Sequence, residues 1–162
     1  MITYIKGDLF NYLYKDKSNK MICHIVNDLK AWGSGFVIPL GEKFPRARES
    51  YLKQDVLKLG SCQFIEYDNI YIMNMVAQHG IISSNNLKPI RYRALVECMS
   101  NVLFACQTRH IDEIHAPAFG SCRSGGNWAF ISELIEEIWC QNNLRVNIYY
   151  LDDNQKVELK IT

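Results

Sequence analysis

Residues 21–44 read MICHIVNDLKAWGSGFVIPLGEKF. Met21–Asn27 is a near-continuous apolar run, the pattern of a strand covered on both faces. Ala31-Trp32-Gly33-Ser34-Gly35 follows it, and Phe36–Phe44 then reads as a helix that opens after a glycine pair. A buried strand, a glycine loop and a helix in succession are a unit of an α/β fold. The reading extends outward in both directions. Ile2–Lys6 is a short strand. Pro45 suits the first turn of a second helix, Arg46–Lys58, because proline has no N–H to leave unpaired there. Ser61–Tyr67 and Ile70–Val76 are strands around the turn pair Asp68-Asn69. Ile81–Lys88 is polar loop, and Pro89–Cys106 is a long amphipathic helix. Ile111–Ala118 is a strand and Gly120–Gly126 a glycine/serine loop. Asn127–Cys140 is a helix with Asn127 as its N-cap. Leu144–Leu151 is a late strand, and Lys156–Ile161 reads as an added edge strand. The alternation predicts a three-layer α/β/α sandwich with a mixed, largely parallel sheet.

The whole chain, 162 residues, is of a size for one domain, 1–162. Apolar residues make up 48% and charged residues 22%, which excludes disorder as the main description. Eighteen Lys+Arg against seventeen Asp+Glu leave a net charge of +1, so a dedicated nucleic-acid partner is not signalled. No apolar run approaches the roughly 20 residues of a membrane span. The opening MITYIKGDLF has no cationic stretch followed by an apolar one, so a cytoplasmic location is expected, and a monomer with it. The six cysteines show no CxxC spacing and no Cys/His cluster. Reduced thiols, mostly buried as small hydrophobes, are expected, with no metal and no cofactor.

In parallel sheets ligands bind beyond the carboxyl ends of the strands. Two loops there share a design: Gly33-Ser34-Gly35, and Gly120-Ser121-Cys122-Arg123-Ser124-Gly125-Gly126. Each follows a strand and opens a helix. Glycine lets backbone come close to an anion, and free N–H groups at a helix start carry partial positive charge. Together the loops suggest a phosphate or diphosphate cradle that needs no basic side chains, although ordinary strand-to-helix turns have the same composition. Neither loop is GxGxxG or GxxxxGK[ST]. Asp8, after the first strand, suits either a purine amino group or an N-cap. Asn27 suits a sugar hydroxyl or a turn. His24 lies inside an apolar strand, where a core role is the commoner one. His79, in the loop after a strand, is better placed for proton transfer. His110 and His115 look structural.

The segments ITYIKGDLF, ICHIVNDLKAWGSGFVIPLGEKFPRARESY, NIYIMNMVAQHGI, PIRYRALVECM, HAPAFGSCRSGGNW and VNIYYL, in this order, resemble a macro domain, the ADP-ribose-binding α/β/α module. The resemblance runs from Ile2 to Leu151. Within the family it is nearest the stand-alone ADP-ribose 1″-phosphate phosphatase-like branch, which is similar to the terminal ADP-ribose protein glycohydrolases. It implies that Asp8 and Leu9 bind adenine, with Leu151 and Asp152 at its edge, and that Asn27 faces the distal ribose. It implies that Gly33, Ser34, Gly35 and Phe36 surround the diphosphate and distal ribose, while Ser121, Cys122, Arg123, Ser124, Gly125 and Gly126 donate N–H groups to the phosphates. His24 is implied as a general acid, Ser34 as a holder of developing charge, and Asp28 or His79 as the group that orients water.

The chain departs from the family pattern in two places. Asn27-Asp28-Leu29-Lys30 lacks the second Asn of the frequent Asn-Ala-Ala-Asn run. Met75–Gln78 has no lysine and Arg123-Ser124 no aspartate, so the lysyl-adduct route of the terminal glycohydrolases is not expected. The implied activity is hydrolysis of ADP-ribose 1″-phosphate to ADP-ribose and phosphate. The alternatives are a non-catalytic ADP-ribose reader and a hydrolase that removes ADP-ribose from modified macromolecules.

Overall fold

The computed structural model describes residues 1–162. Six strands form one sheet: β1 Ile2–Lys6, β2 Lys20–Asn27, β3 Cys62–Tyr67, β4 Ile70–Gln78, β5 Glu113–Pro117 and β6 Arg145–Tyr150. Their order is β1-β6-β5-β2-β4-β3. All neighbours are parallel except β3, which runs antiparallel to β4. The helices are α1 Val37–Lys43, α2 Pro45–Lys53, α3 Tyr92–Arg109, α4 Trp128–Ile138 and α5 Asp153–Glu158. The architecture is the expected α/β sandwich with helices on both faces.

Strand periodicity explains the layers. Along β2, Ile22 and Val26 face one core, with Leu40 of α1 and Ala47 and Tyr51 of α2. Met21 and Cys23 face the other, with Leu95, Met99 and Val102 of α3 and Ile131 and Ile135 of α4. Alternate side chains point to opposite faces of a strand, so an apolar run serves both cores. Helix α3 buries Leu95, Cys98, Met99, Val102 and Cys106, a helical stripe, and ends at His110 in the left-handed region (φ 56°). The Asn127 side chain accepts from Phe130 N at 3.4 Å and caps α4. Cys23, Cys98 and Cys106 are buried, Cys62 and Cys140 half-buried, and Cys122 is exposed.

Several boundaries shift. Helix α2 stops at Lys53 because Gln54 is extended (ψ 127°), short of Lys58. Helix α3 starts at Tyr92, not Pro89, because residues 89–91 pair elsewhere. His79 N donates to Pro89 O, Arg91 N to Ala77 O, and Ile90 N to Ser124 O. The expected edge strand Lys156–Ile161 is instead the end of α5. The Asp152 side chain accepts from Gln155 N at 2.8 Å and starts a helix there. No helix is long and apolar enough to cross a membrane.

The topology sets the site. The chain leaves β2 toward α1 and α2 on one face, and leaves β5 toward α4 on the other. β2 and β5 are adjacent, so their outgoing loops splay apart at the carboxyl edge and open a cleft.

Candidate functional site

That cleft has a volume of about 730 Å³. One wall is Gly33–Val37 with Ala31, the other Pro117–Ser124; Leu151 and Gln155 stand at one end and Gln78, Ile81 and Ile82 at another. The floor is the end of β2, from His24 to Asn27. No carboxylate and no lysine line the cleft, and Arg123 is the only charged arginine or lysine in it. The electrostatics favour an anion.

The backbone of both walls reinforces this. In the first wall the N–H groups of Gly33, Ser34, Gly35, Phe36 and Val37 have no acceptor within the protein. In the second wall those of Ser121, Cys122 and Arg123 have none. Unpaired N–H groups on facing walls form a nest for phosphate oxygens. The two loops that look alike in sequence are thus brought face to face.

The second loop holds its shape through the rest of its residues. Ser124 N donates to Ser121 O, Gly125 N to Cys122 O, and Gly126 N to Gly120 O at 2.8 Å. The Ser124 hydroxyl donates to Gln78 Oε1 at 2.8 Å, tying the loop to β4. Ser124, Gly125 and Gly126 therefore do not offer N–H groups to a phosphate; they are committed to closing the turn. This corrects the expectation for those three. Cys122 sits at φ 53° in the left-handed region, where glycine is more usual.

On the floor, His24 is 2% exposed. Its Nε2 pairs with Asn74 Oδ1 at 2.5 Å, and its Nδ1 has no partner. Trp32 meets the ring edge-on at 5.6 Å and Phe36 lies tilted against it at 5.7 Å, centroid to centroid. Burial lowers its pKa to about 4, with the Asn74 bond opposing in part. A ring held neutral in this way carries no imidazolium proton at neutral pH, which counts against the general-acid role expected of His24; its single N–H is engaged with Asn74 and its other nitrogen is free to accept. Trp32, 8% exposed, packs on Tyr51 at 5.3 Å between centroids and is a core residue.

No protein-family model matches the chain. A bovine (Bos taurus) protein named ADP-ribose glycohydrolase OARD1 is 24% identical over 150 residues, 93% of this chain and 91% of its own length. An ADP-ribose 1″-phosphate phosphatase of Candida albicans is 32% identical over 76 residues, 45% of this chain and 49% of its own length. A macrodomain protein of Streptomyces coelicolor has a solved structure that superposes with a TM-score of 0.76 at 28% identity, covering 94% of this chain and 100% of that one. The chain has the macro domain fold and resembles that family along almost its whole length.

Of the residues expected around adenine, Asp8, Leu9 and Asp152 are not among those that line the cleft. Asp8 is exposed, and its Oδ1 accepts from Phe10 N at 2.9 Å as an N-cap. Leu9 is 3% exposed, inside the core beneath α1 and α2. Asp152 caps α5, while its neighbour Leu151, 73% exposed, does line the cleft. Asn27 lines it too, but its amide is largely occupied. Oδ1 accepts from Leu29 N (3.0 Å), Ala31 N (3.1 Å) and the Tyr51 hydroxyl (2.8 Å), and Nδ2 donates to Ala31 O (2.8 Å). Asn27 thus shapes the first loop and keeps one Nδ2 hydrogen for a ligand.

Asp28 and His79 form a pair of their own. His79 Nδ1 and Asp28 Oδ2 are 2.6 Å apart, and Gly80 N donates to Asp28 Oδ1 at 2.8 Å. Partial burial pushes the Asp28 carboxyl upward, but the bonds from Gly80 and His79 outweigh it and hold the carboxyl below its usual range. Neither residue lines the cleft. The pair joins the loop after β2 to the loop after β4, which corrects the expectation that one of them orients water. Ser34 is exposed on the first wall of the cleft. Sequence reasoning missed Gln155, which lines the cleft from α5 and accepts from Leu151 N at 2.7 Å through Oε1. It also missed Gln78 and the partners of His24. Their signal was a polar residue inside an apolar strand, most plainly Asn74 in IYIMNMVA.

Proposed function

We propose that this macro domain binds ADP-ribose in the cleft and hydrolyses ADP-ribose 1″-phosphate. Water attacks either phosphorus, breaking the bond from phosphorus to the sugar oxygen, or the anomeric carbon, breaking its bond to the phosphate oxygen; both routes give ADP-ribose and inorganic phosphate. The observation that carries the reading is the facing pair of unpaired N–H runs, Gly33–Val37 and Ser121–Arg123, across a cleft free of carboxylates. Such donors hold a diphosphate without reorganising and stabilise charge that develops during phosphoryl transfer. Arg123 adds a cation beside them. The Candida albicans relative supports the substrate, and the bovine relative supports a hydrolase more broadly. The absence of lysine from the lining disfavours a lysyl adduct.

A second reading is favoured by a specific observation. His24 is a neutral acceptor, and Asp28 and His79 stand outside the lining, so no group is poised to give a proton. A domain built this way would hold ADP-ribose and release it unchanged. Calorimetry with ADP-ribose and a phosphate-release assay with ADP-ribose 1″-phosphate separate the readings. Binding with phosphate release supports the phosphatase. Binding without release selects the reader, unless ADP-ribose is freed from modified macromolecules, which would make the domain a hydrolase of those instead. No binding of ADP-ribose overturns the whole proposal.

A further inference from the structure

His24 does not stand alone. Its Nε2 meets Asn74 Oδ1, and Asn74, fully buried, donates through Nδ2 to Ala47 O (3.0 Å) and Gln63 Oε1 (3.0 Å). Gln63 in turn donates through Nε2 to Ser50 O (2.8 Å) and Gln54 Oε1 (2.6 Å). Gln54, at the surface, donates through Nε2 to Val56 O at 3.1 Å. The direction of this chain is not free. Ala47, Ser50 and Val56 each present a backbone carbonyl, which can only accept. Each carbonyl therefore takes the NH₂ side of one amide and turns that amide's oxygen toward the next residue inward. The last oxygen, Asn74 Oδ1, faces the imidazole and requires a hydrogen on Nε2.

From this relay we infer that Asn74 and Gln63 are positioning residues: they lock His24 in its Nε2–H form, so that the bare Nδ1 accepts a hydrogen bond from a hydroxyl of the ligand's terminal sugar. The inference rests on the ADP-ribose reading for the identity of the sugar. The tautomer itself follows from the protein alone. Two facts support the outward half. Nδ1 is the one buried side-chain polar atom with no partner in the protein, and His24 lines the cleft beside Phe36 and Asn27. A buried lone pair without a donor is costly unless a ligand or water supplies one. No charged neighbour contributes to the state of the ring, since its environment is Trp32, Phe36 and Asn74. The arrangement gives the site an acceptor among its many donors, which is what distinguishes a sugar hydroxyl from a phosphate oxygen.

Side-chain ¹⁵N NMR of histidine in the whole protein tests this, with ADP-ribose and ADP as probes. In the free protein at neutral pH, His24 is expected to show a protonated Nε2 and a bare Nδ1. ADP-ribose should shift the Nδ1 resonance; ADP, which lacks the terminal sugar, should leave it in place. An Nδ1–H form or an imidazolium in the free protein overturns the relay. An unmoved Nδ1 in a protein that binds ADP-ribose overturns the acceptor role. If ADP-ribose does not bind, the ADP-ribose reading falls together with the sugar contact, while the free-protein spectrum still decides the relay. Asn74→Asp supplies the second test, because a carboxylate beside Nε2 converts the ring to imidazolium and removes the acceptor. ADP-ribose affinity is then expected to fall about tenfold with ADP affinity unchanged. Equal loss for both ligands would show a merely structural role and overturn the inference.

Discussion

At Gly126 a single methyl group decides whether the second loop closes. A Cβ built there lies 2.2 Å from Gly120 O, and neither atom belongs to a side chain that can turn away. Gly126 N also donates to that same carbonyl, so the two strands of the loop touch along their backbones. Gly126→Ala is expected to cost roughly 1–3 kcal/mol, the range for overpacking a tight site. Because the loop carries the N–H groups of Ser121–Arg123, ADP-ribose affinity should fall as well. Thermal melts and calorimetry check both, and an alanine variant with unchanged melting and affinity would contradict this account of the loop. The glycines are also where sequence reading stops at the residue scale. All of Ser121–Gly126 looked alike as phosphate donors, yet only part of the run faces the cleft. The sorting depends on Gln78 and Leu87–Ile90, which are distant in sequence and pack against Ser124 and Gly125. Asp8 shows the reverse: its capping role was one of two local readings, and a bond to a residue two positions on was enough to realise it.

The elements read well wherever burial dominates. β2 and β4 are covered on both faces and carry long apolar runs that no local signal contests. The C-terminal segment fails for a different reason. Val157, Leu159 and Ile161 alternate with polar residues and suggest a strand, but Val157 is 75% exposed and Leu159 only 6%. Both sides of β6 are already paired, with β1 and β5, so the chain leaving it has no adjacent place in the sheet. Asp152 and Gln155 then settle the matter locally. The Asp152 carboxylate accepts from Gln155 N, and Gln155 Oε1 accepts from Leu151 N, a reciprocal pair like a capping box. Asp152→Ala is expected to destabilise α5 by about 1 kcal/mol. Since Gln155 lines the cleft, the same variant should weaken ADP-ribose binding modestly. Hydrogen exchange at the amides of residues 153–159 reports the first effect, and calorimetry the second. Protection left at its original level would argue that packing of Leu159, rather than the cap, holds the helix.

Across the molecule, the same burial that shapes the cleft makes the fold sensitive to acid. His24 has its pKa lowered from 6.5 to about 4, chiefly by burial. Burial also lowers that of His115, against the opposing pull of Glu113, whose carboxylate lies 2.7 Å from His115 Nε2. The unfolded chain takes up these protons at higher pH than the folded protein, so stability falls as pH drops below 6.5 and keeps falling until the folded His24 titrates near 4. Carboxylates act later. Asp16 is held well below its usual range by Lys20 and Ser18, and Glu136 somewhat below by Ile2 N and the N-terminus against the cost of partial burial. Their contributions are present above the ordinary carboxylate range and fade only as pH falls through the lowered values. The first loss on acidification therefore belongs to the histidines. Between about pH 7.5 and about pH 5, His24 alone is expected to cost on the order of 2 kcal/mol, from about 1.4 kcal/mol per pH unit below its unfolded value. Urea midpoints at the two pH values measure the total. His24→Phe lowers stability at both, because Asn74 Oδ1 loses its donor, but it should also shrink the difference between them. A difference of the same size in the variant would place the acid sensitivity elsewhere, with His115 the next group to remove.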